Sequence, residues 1–457
     1  MIIITPVYIL IVVFTGVALL LLMVLKFRLS AFLALLVTSV LVGILAGMPL
    51  SDITASIEKG MGSTLGFIAT IVGLGAIFGQ LLERSGGAGS MARYLLMKFG
   101  AKRAPWALTI TGFLIGIPIF LDVGFIIIIP VIYALARDSG KSLLYYAIPL
   151  LAGLAVTHAM VPPTPGPTAV AQILGVDLGW VIFFGVITGI PVVILAGPVF
   201  GRFISNRIFV KPPDEIAEER PQYSDPVTEV RQLTFGIVAM LIAIPLVLII
   251  ISTFVNFGIE SKILAKSLAT DLVVFLGHPF TALIIATLLT IVICLRKGFS
   301  RNDILTISTR ALGPAGIIIL VTGAGGVLKQ ILVDSGIGQV LAESIAGSSV
   351  PLIFLAWLLA AVVRITQGSA TVAMITAAGI MSPILESLNM SQPESALIVI
   401  SIASGATILS HVNDSGFWIV SKYLGINEKS TLKSWTVMET IISVSGLILS
   451  SLISILI

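Results

Sequence analysis

Unbroken apolar runs of about twenty residues, the length that crosses the hydrocarbon core of a bilayer, recur at 6 to 25, 29 to 48, 61 to 82, 178 to 200, 233 to 255, 272 to 295 and 436 to 457, among others. Inside lipid every backbone N–H and C=O must find a partner within the chain, which leaves only helices and closed barrels. Barrel strands would alternate in polarity over about ten residues, whereas these runs are apolar throughout. The sequence therefore predicts an all-α polytopic membrane protein with about ten to fourteen transmembrane segments. Composition agrees: 57% of the 457 residues are hydrophobic and 11% charged, against roughly 25% charged in soluble domains. A lone cysteine, Cys294, excludes an internal disulfide framework. No basic residue precedes Lys26 and no small-residue cleavage site is present, so the first run reads as a retained helix rather than a signal peptide. The net charge of +4 gives no reason to expect a nucleic-acid partner.

Basic residues in short loops report the cytoplasmic side. They cluster at Lys26/Arg28, Arg93 to Arg103, Arg137/Lys141, Arg202 to Lys211, Arg296 to Arg310 and Lys422 to Lys433, whereas the connections around Met48 to Ser51 and Asp334 to Pro351 carry none. The pattern places both termini outside. Asn206 to Arg231, with Pro212, Pro213 and the acidic run Asp214 to Glu219, has linker composition. It divides the chain into a first membrane repeat, 1–205, a cytoplasmic linker, 206–231, and a second membrane repeat, 232–457. Gly75 to Gly87 lies over Gly325 to Ile337 at a constant offset, with Gln80/Gln330, Leu82/Leu332, Ser85/Ser335 and Gly86/Gly336 coinciding. Thr157-His158 falls on Ser410-His411 at nearly the same offset. The run 29 to 48 starts at a basic loop and its partner, 279 to 295, ends at one, so the halves are expected to be inverted. Inverted repeats with discontinuous helices or re-entrant hairpins are the architecture of secondary transporters.

Ionisable or proline-interrupted positions inside apolar spans carry the chemical information, because charge in the bilayer is costly. Asp122 lies in a 33-residue apolar stretch between Arg103 and Arg137 that must turn back near Pro118 to Asp122. His158 opens the segment Thr157 to Thr168, whose four prolines cannot continue a helix; Thr164 and Thr168 lie within it. Arg364 to Thr371 is the counterpart of the first region, and its arginine suits a carboxylate; Gln367, Ser369 and Thr371 add polar groups. Ser410 to Trp418 places His411, Asn413 and Asp414 within an apolar helix, where burial can bring a proton-binding group into the working range. Asp122, His158, His411 and Asp414 are the proton-coupling candidates. The substrate-binding candidates are Arg364, Thr164, Thr168, Gln367, Ser369, Thr371 and Asn413.

Plainer readings stand beside these. Asp122 suits a helix cap, Arg364 an ion pair, His158 a packed core histidine and His278 a helix terminus. The spacings Gly75/Gly79, Gly112/Gly116, Gly185/Gly189 and Gly197/Gly201 suit close helix packing. Gly140-Lys141-Ser142 resembles the end of a phosphate-binding loop, but Leu135 stands where that motif needs glycine. No metal-binding or nucleophile motif points to an enzyme or a cofactor. A channel would more often be built from short repeated subunits.

Gly60 to Ala88, Pro162 to Val170, Arg364 to Met374 and Ser410 to Trp418 resemble the gluconate:proton symporter family of bacterial permeases, and the resemblance extends over essentially the whole chain. It implies proton symport of gluconate or a related sugar acid across the cytoplasmic membrane. It also implies a homodimer with a scaffold and a moving transport domain, hence alternating access of elevator type. Gluconate carriers of that family usually read glutamate where Asp122 stands and histidine where Thr164 stands. The sugar-acid class is thus implied more firmly than gluconate itself. Alternatives on the same scaffold are sodium-coupled uptake of a small hydroxy- or dicarboxylate and a D-serine-type carrier.

Overall fold

The computed structural model describes residues 6–212, 232–337, Val340 and 350–457. Among these residues the chain is helical, with no strand. The helices are α1 (Pro6–Leu25), α2 (Ala31–Leu45), α3 (Leu50–Arg84), α4 (Gly87–Phe99), α5 (Ala104–Ile115), α6 (Leu121–Ser139), α7 (Leu144–Met160), α8 (Pro165–Leu174) and α9 (Leu178–Ser205). After the central segment come α10 (Phe235–Glu260), α11 (Leu268–Gly277), α12 (Pro279–Arg296), α13 (Arg301–Asp334), α14 (Leu352–Gln367), α15 (Ala370–Leu388), α16 (Gln392–Gly405), α17 (Ser415–Leu424) and α18 (Glu428–Ser454). Eight candidate spans among the described residues, one of them α7 and α8 taken together, are long and apolar enough to cross a membrane, and shorter apolar helices accompany them. The expectation of a polytopic all-α protein with interrupted helices holds.

The interruptions fall where the backbone chemistry requires them. Gly116 to Phe120 separates α5 from α6, and Val161 to Thr164 separates α7 from α8, with Pro165 at the first helical position where its missing N–H costs nothing. α14 stops at Gly368, whose φ of 87° is one that glycine adopts without strain. His278 ends α11 and starts α12, its ring nitrogen accepting from the Phe280 N–H at 3.3 Å, so it is the terminus that its proline neighbour suggests. The Ser410 to Trp418 segment corrects the sequence reading. Residues 406–414 lie between helices rather than within one, and Asp414 is the N-cap of α17.

The order of elements recurs. A long helix, two helices joined by a short turn, a broken helix and a span with one wide π-turn appear as α3, α5/α6, α7/α8 and α9, then as α13, α14/α15, α16/α17 and α18. The π-turns are Leu195–Val199 and Leu432–Thr436. The two long helices, 35 and 34 residues, measure about 50 Å each and exceed the hydrocarbon core. They run antiparallel: Ser56 Oγ donates to Asp334 at 2.6 Å near one end, and Leu81 packs with Ile304 near the other. α2 packs on α13 and α12 packs on α3, a reciprocal arrangement. Of the linker, Ile208 and Val210 are held by the loop before α7 through Ser142 Oγ and the Leu143 N–H. Residues 213–231, including the acidic run, lie outside the described residues, as does most of the connection between Asp334 and Pro351.

Candidate functional site

Each helix pair packs against the broken helix of the other half. Phe125 of α6 meets Tyr423 of α17 edge-on, with ring centroids 6.2 Å apart, and Tyr133 donates to the Tyr423 carbonyl. Reciprocally, α8 lies on α15, where Ser382 Oγ donates to the Ile173 carbonyl at 2.8 Å. This crossing brings the two turns and the two breaks into one region. Both Asp122, in the first turn of α6, and Asp414, at the start of α17, lie within electrostatic reach of His158 at the end of α7.

The first-half turn rests on α3. A side chain at Gly79 would collide with the Pro118 carbonyl, so only glycine permits that approach. Beside it opens a small cleft lined by Val72, Gly75, Phe120, His158, Pro163 and Thr164, among others. His158 packs edge-on to Phe120, and its buried Nδ1 has no partner among the described residues. Thr164 donates to the Val161 carbonyl at 2.7 Å, keeping lone pairs for a ligand. Thr168 is fully buried and its hydroxyl is turned back to the Thr164 carbonyl at 2.7 Å; it does not line the cleft.

The second-half turn carries the charge. Arg364, in the last turn of α14, is 4% exposed; its Nη2 donates to Asp414 Oδ2 at 2.5 Å. Nε and Nη1 of the same guanidinium are buried without a partner among the described residues. Asp414 is heavily engaged: its other oxygen accepts from the Gly416 N–H at 3.1 Å, and Ser410 Oγ donates to Oδ2. Trp435 Nε1 of α18 donates in turn to Ser410 Oγ at 2.7 Å.

His411 and Asn413 bond backbone. His411 Nε2 lies 2.9 Å from the Ile365 carbonyl, so it must carry the proton and donate. Asn413 Nδ2 donates to the Ile365 and Thr366 carbonyls at 3.0 and 3.3 Å. The last carbonyls of a helix have no intrahelical partner, and these two side chains supply one for α14. Ser369 is the N-cap of α15, accepting from the Val372 N–H at 3.4 Å, and Gln367 accepts from the Ser369 N–H at 3.3 Å. Gln367, Ser369 and Thr371 remain partly exposed around the turn.

One ionisable residue was not singled out from the sequence. Glu439 of α18 is 4% exposed and lies within electrostatic reach of Arg364 and Asp414. The reasoning that selects Arg364 applies to it equally. Its place near the start of the run 436 to 457 makes it read as a boundary residue.

Paired broken helices, with charge at the breaks and apolar spans around them, define a multi-pass membrane protein. The comparisons carry this further, since the family described as GntP family permease matches residues 7–456. The low-affinity gluconate transporter of Escherichia coli K12 is 43% identical over 434 residues, 95% of each chain. The gluconate permease of Pseudomonas aeruginosa PAO1 is 38% identical over 94% of each chain. The L-idonate transporter of the Gnt-II system of E. coli K12 is 38% identical over 96% of this chain and 97% of its own. Among solved structures, the Alcanivorax borkumensis YdaH transporter, described as having an unusual topology, superposes with a TM-score of 0.63 over 93% of this chain and 96% of its own. At 15% identity that likeness speaks to the fold alone. The chain belongs to the GntP family of permeases.

Proposed function

We propose that this permease imports gluconate or a related sugar acid across the bacterial cytoplasmic membrane together with protons. The observation that carries the reading is the Arg364 guanidinium, fixed through one nitrogen by Asp414 while Nε and Nη1 stay buried and unpartnered among the described residues. A buried donor without an acceptor costs about 1–3 kcal/mol, and a substrate carboxylate supplies the acceptor. Gln367, Ser369, Thr371 and Asn413 at the second-half turn and Thr164 at the first-half break offer groups for sugar hydroxyls. Thr168, whose hydroxyl is bonded to the Thr164 carbonyl, is left out of this set. Asp122 and Asp414 both lie within electrostatic reach of His158, which puts ionisable groups of the two breaks along one approach to the Arg364 site.

In this reading the halves are inverted, the antiparallel pair α3 and α13 belongs to a static scaffold, and the paired and broken helices move as the transport unit of a homodimer with both termini outside. The recurring element order and the reciprocal packing support the two-fold relation of the halves. The test is uptake of labelled gluconate by proteoliposomes under an inward proton gradient without sodium, with unlabelled gluconate, L-idonate and D-serine as competitors. Accumulation abolished by a protonophore supports symport, and the strongest competitor names the acid. Uptake that requires sodium, or none at all, overturns the reading.

A further inference from the structure

We propose that Glu439 couples the proton to the substrate by competing with the substrate carboxylate for Arg364. The inference rests on the reading of Arg364 as the carboxylate site. Its geometry comes from the face that α18 turns toward α14 and the break before α17. Glu439 follows Trp435 by four positions and Thr436 by three, and precedes Ser443 by four, so it shares one helix face with them. Contacts fix both ends of that stripe. Trp435 Nε1 donates to Ser410 Oγ at 2.7 Å and Thr436 to the Ser410 carbonyl, while Ser443 Oγ accepts from Trp357 Nε1 at 3.0 Å. Trp357 and Arg364, two turns apart on α14, share a face as well. Glu439 is therefore held between the Ser410–Asp414 contact and Trp357, alongside Arg364.

Charge balance assigns the role. One guanidinium faces two carboxylates, the buried Glu439 and the partly buried Asp414, and a bound sugar acid adds a third. An interior of low polarity does not hold two uncompensated negative charges, so loading requires a proton. Asp414 is committed to Arg364, Ser410 and the Gly416 N–H. No hydrogen bond or ion pair engages Glu439 among the described residues, and it takes the proton. Ionised, it claims the Nε and Nη1 donors; protonated, it leaves them to the substrate. Only a carboxyl O–H bond forms and breaks, the proton arriving from the side to which the site opens and leaving on the other.

The charged groups facing Glu439 are Arg364 from α14 and Asp414 from the start of α17. Of the other helices packed on α18, α7 brings His158, whereas α9 and α16 carry ionisable groups only near their ends, Arg202 and Glu394.

The experiment has two arms on the purified protein in lipid nanodiscs. The first is infrared difference spectroscopy of carboxyl protonation on pH change, without substrate, for wild type, Glu439→Gln and Arg364→Gln. The second is the Kd for gluconate against pH for wild type, Glu439→Gln and Glu439→Asp. A carboxyl signal lost in Glu439→Gln and displaced in Arg364→Gln is expected. Wild-type Kd should rise about tenfold per pH unit once Glu439 ionises, as one linked proton demands. That slope should vanish in Glu439→Gln and return in Glu439→Asp. An infrared signal unchanged by Glu439→Gln, or a pH slope that survives it, overturns the proposal. Absence of gluconate binding by wild type, beside an infrared signal that responds to both substitutions, overturns the gluconate reading and upholds the Glu439–Arg364 linkage.

Discussion

Arg364 gives Nη2 to Asp414 at 2.5 Å and leaves Nε and Nη1 buried with no acceptor among the described residues. Asp414 is the N-cap of α17 and Arg364 lies in the last turn of α14, so the pair ties the end of one half-helix to the start of another. Asp414, an acceptor at a helix N-terminus, is favourably placed with respect to the helix dipole, as Arg364 is at a C-terminus. The pair is thus explained by local structure, and the two remaining nitrogens are not. They are where a ligand adds most.

Arg364→Gln should weaken gluconate binding by about 100-fold or more, because truncating one partner of a buried charge pair costs about 2–5 kcal/mol and strands the other. Calorimetric titration of the purified protein measures this. Affinity within a factor of a few of wild type would remove Arg364 from the binding site.

His411→Ala should lower thermal stability by about 1 kcal/mol, the usual net worth of one hydrogen bond, by uncapping the Ile365 carbonyl. Uptake and label exchange should fall together. His411→Gln, which keeps a donor near that position, should recover much of both. Accumulation lost with exchange intact would instead make His411 a proton carrier.

The breaks at Pro118 and at Pro162 to Pro167 were legible in the sequence because proline acts on its own backbone, and the turn after Arg364 was legible only as the counterpart of the first of them. The break before Asp414 was not, because residues 406–414 contain no proline and sit in apolar surroundings. Bonds from His411 and Asn413 to α14, and from Asp414 to Arg364, define that segment, and all of them join residues about fifty positions apart. The polar types at the site were legible for the same local reason, as charge or amide in an apolar run. Their division of labour was not. Thr168 spends its hydroxyl one turn back, and Glu439 becomes central only once α18 is laid beside α14.

Gly79→Ala should destabilise the protein by about 1–3 kcal/mol, the range for overpacking a close contact, because the Pro118 carbonyl and the whole turn before Asp122 must retreat. Uptake should fall with it. Gly62, on the same helix, has open space within 4 Å of where an alanine methyl would stand and serves as the control. Gly62→Ala should be neutral or stabilising by up to about 1 kcal/mol. Equal effects in unfolding scans would show that the turn does not rest on α3.

Lys329 of α13 and Ser382 of α15 converge on one atom, the Ile173 carbonyl in the last turn of α8, each at 2.8 Å. Lys329 also pairs with Glu386 at 2.9 Å. Either donor alone can satisfy that carbonyl, so Lys329→Met and Ser382→Ala should each cost about 1 kcal/mol or less. The double substitution leaves a buried acceptor orphaned and should cost about 1–3 kcal/mol beyond the sum of the two. Thermal unfolding of the four proteins in detergent closes the cycle. Strict additivity would mean that the two donors do not share the end of α8.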